Sequence, residues 1–249
     1  MIGFLKLVTG NMGGGKTSYV VELGIEHLLK GGTFATNIKM HLDKVAAHIE
    51  MCGYEFDPSR LIHLTGDVAT FFDQVPRGDS SRVVLVAVDE AALEGMNSRD
   101  WGKLDRRIFN FCTLARKLDI GTIYITQQPE FFDRQLRKLC NGGLVDCRNL
   151  REYRLWGVIP IPLPLLVRVH HSLTGGVFRK TFSEPITVRK WVWPLYDSDA
   201  LLGAAAGEFS QMQRAASGGL RRIKPKTDNL LPFAAVAASV LCAAFFSSF

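Results

Sequence analysis

Short continuous apolar runs alternate with longer stretches whose apolar residues return every three or four positions, from the N-terminus to about Leu144. Residues 4–9 are a brief apolar run ended by Gly10, the pattern of a buried strand. Over residues 16–30, Val20, Leu23, Ile25, Leu28 and Leu29 recur at roughly helical spacing, and Gly31-Gly32 stops the helix. Residues 33–38 read as a second strand, 44–51 as a short helix and 60–64 as another short strand. Residues 82–88 are the strongest buried strand, and their continuous β-branched character suits a parallel sheet covered on both faces. A helix over 104–118 follows, with Ile108, Phe111, Leu114 and Ala115 on one side, then a strand over 121–126 and a helix over 131–139. Strands alternating with helices predict a mainly parallel α/β sheet with right-handed crossovers.

The pattern changes after Leu144. Residues 150–169 mix strand-like positions with Pro160, Pro162 and Pro164. Residues 170–193 alternate, with turn signals at Thr174-Gly175-Gly176 and Glu184-Pro185, which predicts one or two β-hairpins as a small annex. Residues 199–226, rich in Ala, Gly, Ser, Arg and Lys, read as a linker with some helix. The expected organisation is a core over 1–145, a β-rich annex over 146–198, a basic linker over 199–228 and an apolar helix over 229–249.

Residues 230–249 carry no charged side chain. Twenty residues of helix at about 1.5 Å each reach roughly 30 Å, the thickness of the bilayer's hydrocarbon layer. The segment predicts a single transmembrane pass; a buried core helix is the competing reading. Arg214, Arg221, Arg222, Lys224 and Lys226 stand just before it, which places the preceding domain on the cytoplasmic side. The formal net charge is +6. Those five cations account for nearly all of it, so anionic headgroups explain the basic balance better than a nucleic-acid face does.

Composition changes little beyond this. Apolar residues make up 47% and charged residues 22%, which excludes global disorder. The cysteines are odd in number and lack a C-x-x-C pair, against both zinc and a disulfide framework. The N-terminus has no signal-peptide pattern.

The chemistry begins at Gly10-Asn11-Met12-Gly13-Gly14-Gly15-Lys16-Thr17, which fits G-x-x-x-x-G-K-[ST] between a strand and a helix. Glycines let the backbone close around phosphate oxygens, and the free N–H groups at the helix start form a positive cradle. Lys16 is expected to reach the β and γ phosphates of ATP, and Thr17 to ligate Mg²⁺. Asp89-Glu90 ends the 82–88 strand, where parallel sheets bind ligands. Asp89 is expected in the Mg²⁺ shell and Glu90 as the base that polarises water; an acidic cap on a helix beginning at Ala91 is the alternative. Gln127-Gln128 follows the 121–126 strand, and either Gln127 senses the γ-phosphate or the pair is a turn before Pro129. An arginine finger from a neighbouring subunit has candidates in Arg99, Arg106, Arg107, Arg116 and Arg137, with Arg116 favoured.

These motifs together resemble the filamentous-phage assembly and export ATPases of the zonula occludens toxin-like (Zot) family. The matching stretches are Gly10–Thr17, Thr36-Asn37, Val84–Glu90, Ala115-Arg116-Lys117-Leu118-Asp119-Ile120, Ile123-Tyr124-Ile125-Thr126-Gln127 and Pro194-Leu195-Tyr196-Asp197-Ser198. The resemblance implies a homo-oligomeric ring ATPase of the bacterial host inner membrane. It would drive extrusion of the phage while coat protein replaces the single-stranded-DNA-binding protein on the genome. It also implies contact with an outer-membrane channel through a segment beyond the span; this chain ends at Phe249, so channel contact is not expected of these residues. Two other functions fit the same motifs: a nucleotide-gated assembly scaffold without sustained turnover, and a membrane-bound DNA-pumping ATPase.

Overall fold

In the computed structural model, the residues described are 3–66, 68–78, 83–91, 96, 106–149, 154–155, 159–160, 165–187 and 190–197. The transmembrane reading of 229–249, the basic linker and Arg99 lie outside them. Among the described residues, no helix is long and apolar enough to cross a membrane. The chain divides into a compact unit, Met1–Leu202, and a second, Gly203–Phe249; all that follows concerns the first.

The strands are β1 (Leu5–Thr9), β2 (Thr33–Thr36), β3 (Leu61–His63), β4 (Val84–Val88), β5 (Ile120–Ile125), β6 (Leu144–Asn149), β7 (Arg154–Leu155), β8 (Ile159–Pro160), β9 (Leu165–Thr174) and β10 (Val177–Thr187). The helices are α1 (Lys16–Leu29), α2 (Leu42–Met51), α3 (Val68–Gln74), α4 (Arg106–Leu114) and α5 (Arg134–Lys138). Strands β7 and β8 pair with each other; the other eight form one sheet in the order β10-β9-β6-β1-β5-β4-β2-β3. From β6 to β3 every neighbour is parallel, while β9 and β10 run antiparallel at the other edge.

The pattern of burial explains the layering. All five residues of β4 and all six of β5 are buried, as their continuous apolar runs require of central parallel strands. On one face, Val20, Ile25 and Leu28 of α1 and Val45 and Ile49 of α2 pack with Val8, Leu85, Ile123 and Val145. On the other, Phe71 of α3, Phe111 of α4 and Leu136 of α5 pack with Leu7, Val86 and Tyr124. Four cysteines, Cys52, Cys112, Cys140 and Cys147, are free.

Several sequence expectations need correction. The described part of the expected 104–118 helix is α-helical over Arg106–Leu114 and continues as a 3₁₀ turn, Ala115–Leu118, which Asp119 ends at φ 51°. Helix α3 and strand β6 were not expected. Strand β6 carries Asp146, Arg148 and Asn149 and so lacks a continuous apolar run, yet it pairs in parallel with β1. The expected hairpin is present as β9 and β10, but it extends the main sheet itself through β6, while β7 and β8 form a separate short antiparallel pair. Glu184-Pro185 is no turn: both residues pair within β10, opposite Arg168 and Val167. β10 is an edge strand, where a proline's missing N–H faces no partner.

Candidate functional site: the phosphate loop and the acidic strand end

The parallel strands raise their C-terminal ends to one rim of the sheet, and the phosphate loop leaves β1 there. Its geometry depends on missing side chains. Gly15 sits at φ 83° as the first residue before α1, a left-handed turn that opens the helix N-terminus. A Cβ on Gly14 would stand 2.6 Å from the Cys147 carbonyl oxygen of β6. The loop therefore lies directly on its neighbouring strand.

Lys16 is 8% exposed. Its Nζ donates to the carbonyl oxygens of Gly10, at 2.9 Å, and Asn11, at 3.0 Å. These neutral acceptors hold the ammonium group across the mouth of the loop. A phosphate is the stronger partner for it, because a charged acceptor roughly doubles the strength of a hydrogen bond.

The second half of the site comes from β4. Thr17 Oγ1 donates to Asp89 Oδ2 at 3.1 Å, joining the start of α1 to the strand end. Two hard oxygens so placed suit Mg²⁺. Burial pushes the Asp89 carboxyl above the usual carboxylate range, against the hydrogen bonds from Glu90 and Thr17 and the charge of Lys16. Glu90 is raised as well, by burial first and the Asp89 charge second. A bound cation would reverse the Asp89 shift by supplying the missing positive charge. Glu90 adopts φ 50°, a left-handed conformation that costs a non-glycine residue on the order of 1–3 kcal/mol. Its N–H donates to Asp89 Oδ1 at 2.9 Å, so the strained turn is tied to the carboxylate it follows. Glu90 lies in a turn, not at the start of a described helix.

Two contributors fell within the family-like stretches but were given no role from the sequence. The Asn37 amide clamps Asp89 from the end of β2: its Nδ2 donates to the Asp89 carbonyl at 3.1 Å, and its Oδ1 accepts from the Asp89 N–H at 2.8 Å. An amide just beyond the strand beside β4 was the available signal. Tyr196 arrives from the C-terminal end of the unit. It bridges to Met40, its hydroxyl pairs with Ser18, and burial raises its pKa, with the Asp89 charge as a further cause.

Lys16, Thr17, Asp89 and Glu90 thus meet at one rim of the sheet. Gln127 does so through its backbone, whose carbonyl accepts from the Gly10 N–H at 3.1 Å; its side chain is exposed beside Thr9 and Gly10. The backbone turn that carries Arg116 is not beside this chain's own phosphate loop. This 3₁₀ turn precedes β5 at the rim opposite the loop, roughly 17 Å away along five residues of strand.

The Arg168 and Glu22 pair was also illegible in the sequence. Arg168 of β9 donates to Glu22 Oε2 of α1 at 2.6 Å, with both side chains buried, and its guanidinium lies 4.2 Å from the centre of the Tyr19 ring. The hairpin is thereby locked onto the helix that begins with Lys16.

This arrangement has close kin. The family model described as Zonular occludens toxin (Zot) matches residues 4–201. The Gene 1 protein of Salmonella phage IKe is 31% identical over 206 residues, covering 75% of this chain and 52% of that protein. The chain spans about half the length of the curated relatives it matches. Among solved structures, the N-terminal domain of zonular occludens toxin from Neisseria meningitidis superposes with a TM-score of 0.50 at 17% identity, covering 79% of this chain and all of that one. A second solved structure, an isolated ATPase domain, gives a TM-score of 0.51 at 10% identity, over 78% of this chain and 84% of that one. These two likenesses bear on the fold alone. The chain belongs to the zonular occludens toxin family and carries the phosphate-loop motif Gly10–Thr17 at the rim of its parallel sheet.

Proposed function

We propose that this chain is the ATP-hydrolysing motor of a filamentous-phage assembly apparatus, anchored in the bacterial host's inner membrane by residues 229–249 and acting as a homo-oligomeric ring that drives extrusion. The observation that carries the hydrolytic part is the Thr17–Asp89 hydrogen bond of 3.1 Å, which unites the phosphate loop and the acidic strand end in one site. The family match and the phage Gene 1 relatives support the assembly role. Coat protein and the protein-coated single-stranded genome are the proposed substrates.

In this reading Lys16 leaves the Gly10 and Asn11 carbonyls for the β and γ phosphates. Thr17 Oγ1 and Asp89 hold Mg²⁺, which when bound neutralises charge developing on the phosphates. Glu90, with its pKa raised, orients the attacking water and takes its proton. Asn37 fixes the Asp89 peptide, and therefore the start of the strained Glu90 turn. Any arginine that completes the site in trans would come from a neighbouring subunit; Arg116, at the far rim, remains a proposal for that role.

The test is complementation of a phage lacking its assembly ATPase, paired with imaging of the detergent-solubilised protein. The proposal expects phage release from the wild-type gene, none from Lys16→Ala or Glu90→Gln, and closed rings in the images. Full release by Glu90→Gln would reject the motor in favour of a nucleotide-gated scaffold.

A further inference from the structure

Residues 190–197 form a short strap that runs from α2 to the first turn of α1. Val192 and Leu195 are buried in the core that α1 and α2 share, and Trp191 stacks on His48 of α2 with ring centres 4.3 Å apart. The far end of the strap is bonded to the segment after β2. The His41 N–H donates to the Leu195 carbonyl at 2.8 Å, the Asp197 N–H donates to the Lys39 carbonyl at 3.0 Å, and Lys39 Nζ lies 3.5 Å from Asp197 Oδ2. These contacts hold the strap in place without the Tyr196 hydroxyl.

That hydroxyl is spent elsewhere. It pairs with Ser18, the third residue of α1 and the neighbour of Thr17. Successive residues of a helix project about 100° apart. Thr17 is held by Asp89 Oδ2 at 3.1 Å, and Ser18 is held by Tyr196. The first turn of α1 is therefore gripped from two directions: one bond sets its distance from β4, and the other sets its sideways position. Burial first and the Asp89 charge after it hold the phenol above its ordinary pKa, so it meets Ser18 as a neutral group.

A second route leads from the strap to the same carboxylate. Tyr196 bridges to Met40 and Asp197 bonds to Lys39, three and two residues beyond Asn37. Asn37 in turn clamps the Asp89 peptide through two hydrogen bonds. The two side chains suited to Mg²⁺, Thr17 and Asp89, are thus braced by one strap, each along its own path.

We propose that Tyr196 is a positioning residue of the nucleotide site: through Ser18 it holds the Thr17 hydroxyl at a separation from Asp89 that a single Mg²⁺ can bridge. It acts through its neighbours and touches neither phosphate nor metal. Its effect on turnover rests on the hydrolytic reading of the site; its effect on metal affinity does not. Displacing a reacting group by about 1 Å can cost 10²-fold in rate, so a loosened ligand should cost a good part of that.

The experiment compares the purified 249-residue chain in detergent with Tyr196→Phe, Ser18→Ala and the double variant. Each is read by ATP turnover and, independently of hydrolysis, by the Mg²⁺ concentration that half-saturates binding of N-methylanthraniloyl-ADP. Tyr196→Phe is expected to raise that concentration about fivefold and to lower kcat about tenfold, with KM for ATP changed by less than about twofold. Ser18→Ala should do the same, and the double variant should be no worse than either single one, because both break one bond. Wild-type Mg²⁺ dependence in Tyr196→Phe would overturn the proposal. So would losses that multiply in the double variant, or a Tyr196→Phe defect confined to a lower melting temperature. A wild-type chain that binds the analogue but releases no phosphate from ATP would reject the hydrolytic reading, and the Mg²⁺ titration would still decide the role of Tyr196.

Discussion

Lys16 and Arg168 are cations on the same face of the sheet, each 8% exposed, yet they are held by different means. Arg168 has a carboxylate at 2.6 Å and an aromatic ring beneath it. Lys16 has two neutral carbonyl oxygens. A buried cation that already owns a carboxylate gains little by moving. One resting on carbonyls gains by moving to an anion. The contrast separates a structural ion pair from a charge kept ready for phosphate, although burial alone makes the two look alike.

Mutation is the sharpest way to break the comparison. Lys16→Ala is expected to lower ATP turnover by at least about a thousandfold, since the phosphate-bound lysine acts on charge that develops in the transition state. Its melting temperature should stay close to that of the wild type, because the two carbonyls left behind can accept from water. Glu90→Gln is expected to reduce turnover by roughly 10²–10⁴-fold, the usual contribution of a positioned base, with nucleotide affinity retained in an equilibrium titration.

Arg168→Ala should do the opposite. Removing one member of a buried pair costs about 3–5 kcal/mol, which at about 2–4 °C per kcal/mol predicts a fall of roughly 10 °C in Tm. Replacing both partners, as in Glu22→Leu with Arg168→Met, should recover most of that loss. If the double variant melts as low as the single one, the pair does more than satisfy itself.

The sequence made one side of this contrast visible and hid the other. Lys16 sits in a contiguous eight-residue motif whose strand and helix could be read from local apolar spacing, and Asp89 closes an unbroken apolar strand. Both are local signals. Arg168 and Glu22 are separated by 146 positions, and nothing along the chain distinguishes them from solvated charges. Asn37 was visible only as part of a family-like dipeptide, because its role is set by β2 lying beside β4. Strand β6 was missed because its polar positions break the run expected of a parallel strand. The turn expected at Pro185 failed because an edge strand tolerates proline.

Smaller effects refine the site. Asn37→Ala removes two hydrogen bonds to the Asp89 peptide and should lower turnover about tenfold while costing roughly 1–2 kcal/mol; a turnover loss with no change in the pH profile would make it a purely structural clamp. The raised pKa of Glu90 predicts an acid limb of the pH–rate profile above the ordinary carboxylate range, with turnover falling as pH drops through it. The same shift has a sign for stability. A carboxyl whose folded pKa is raised favours the folded state at low pH and loses that contribution as pH rises and the group is forced to ionise. Asp89→Asn should therefore raise the Tm of the nucleotide-free chain at neutral pH, while turnover collapses.

The central claim is that Lys16 is a mobile charge in a hydrolytic site completed by Asp89 and Glu90. The most direct measurement is steady-state phosphate release from ATP by the purified chain with Mg²⁺, with Lys16→Ala beside the wild type. The account predicts Mg²⁺-dependent release by the wild type and loss of at least about three orders of magnitude in the variant. Equal release by the two proteins would contradict it.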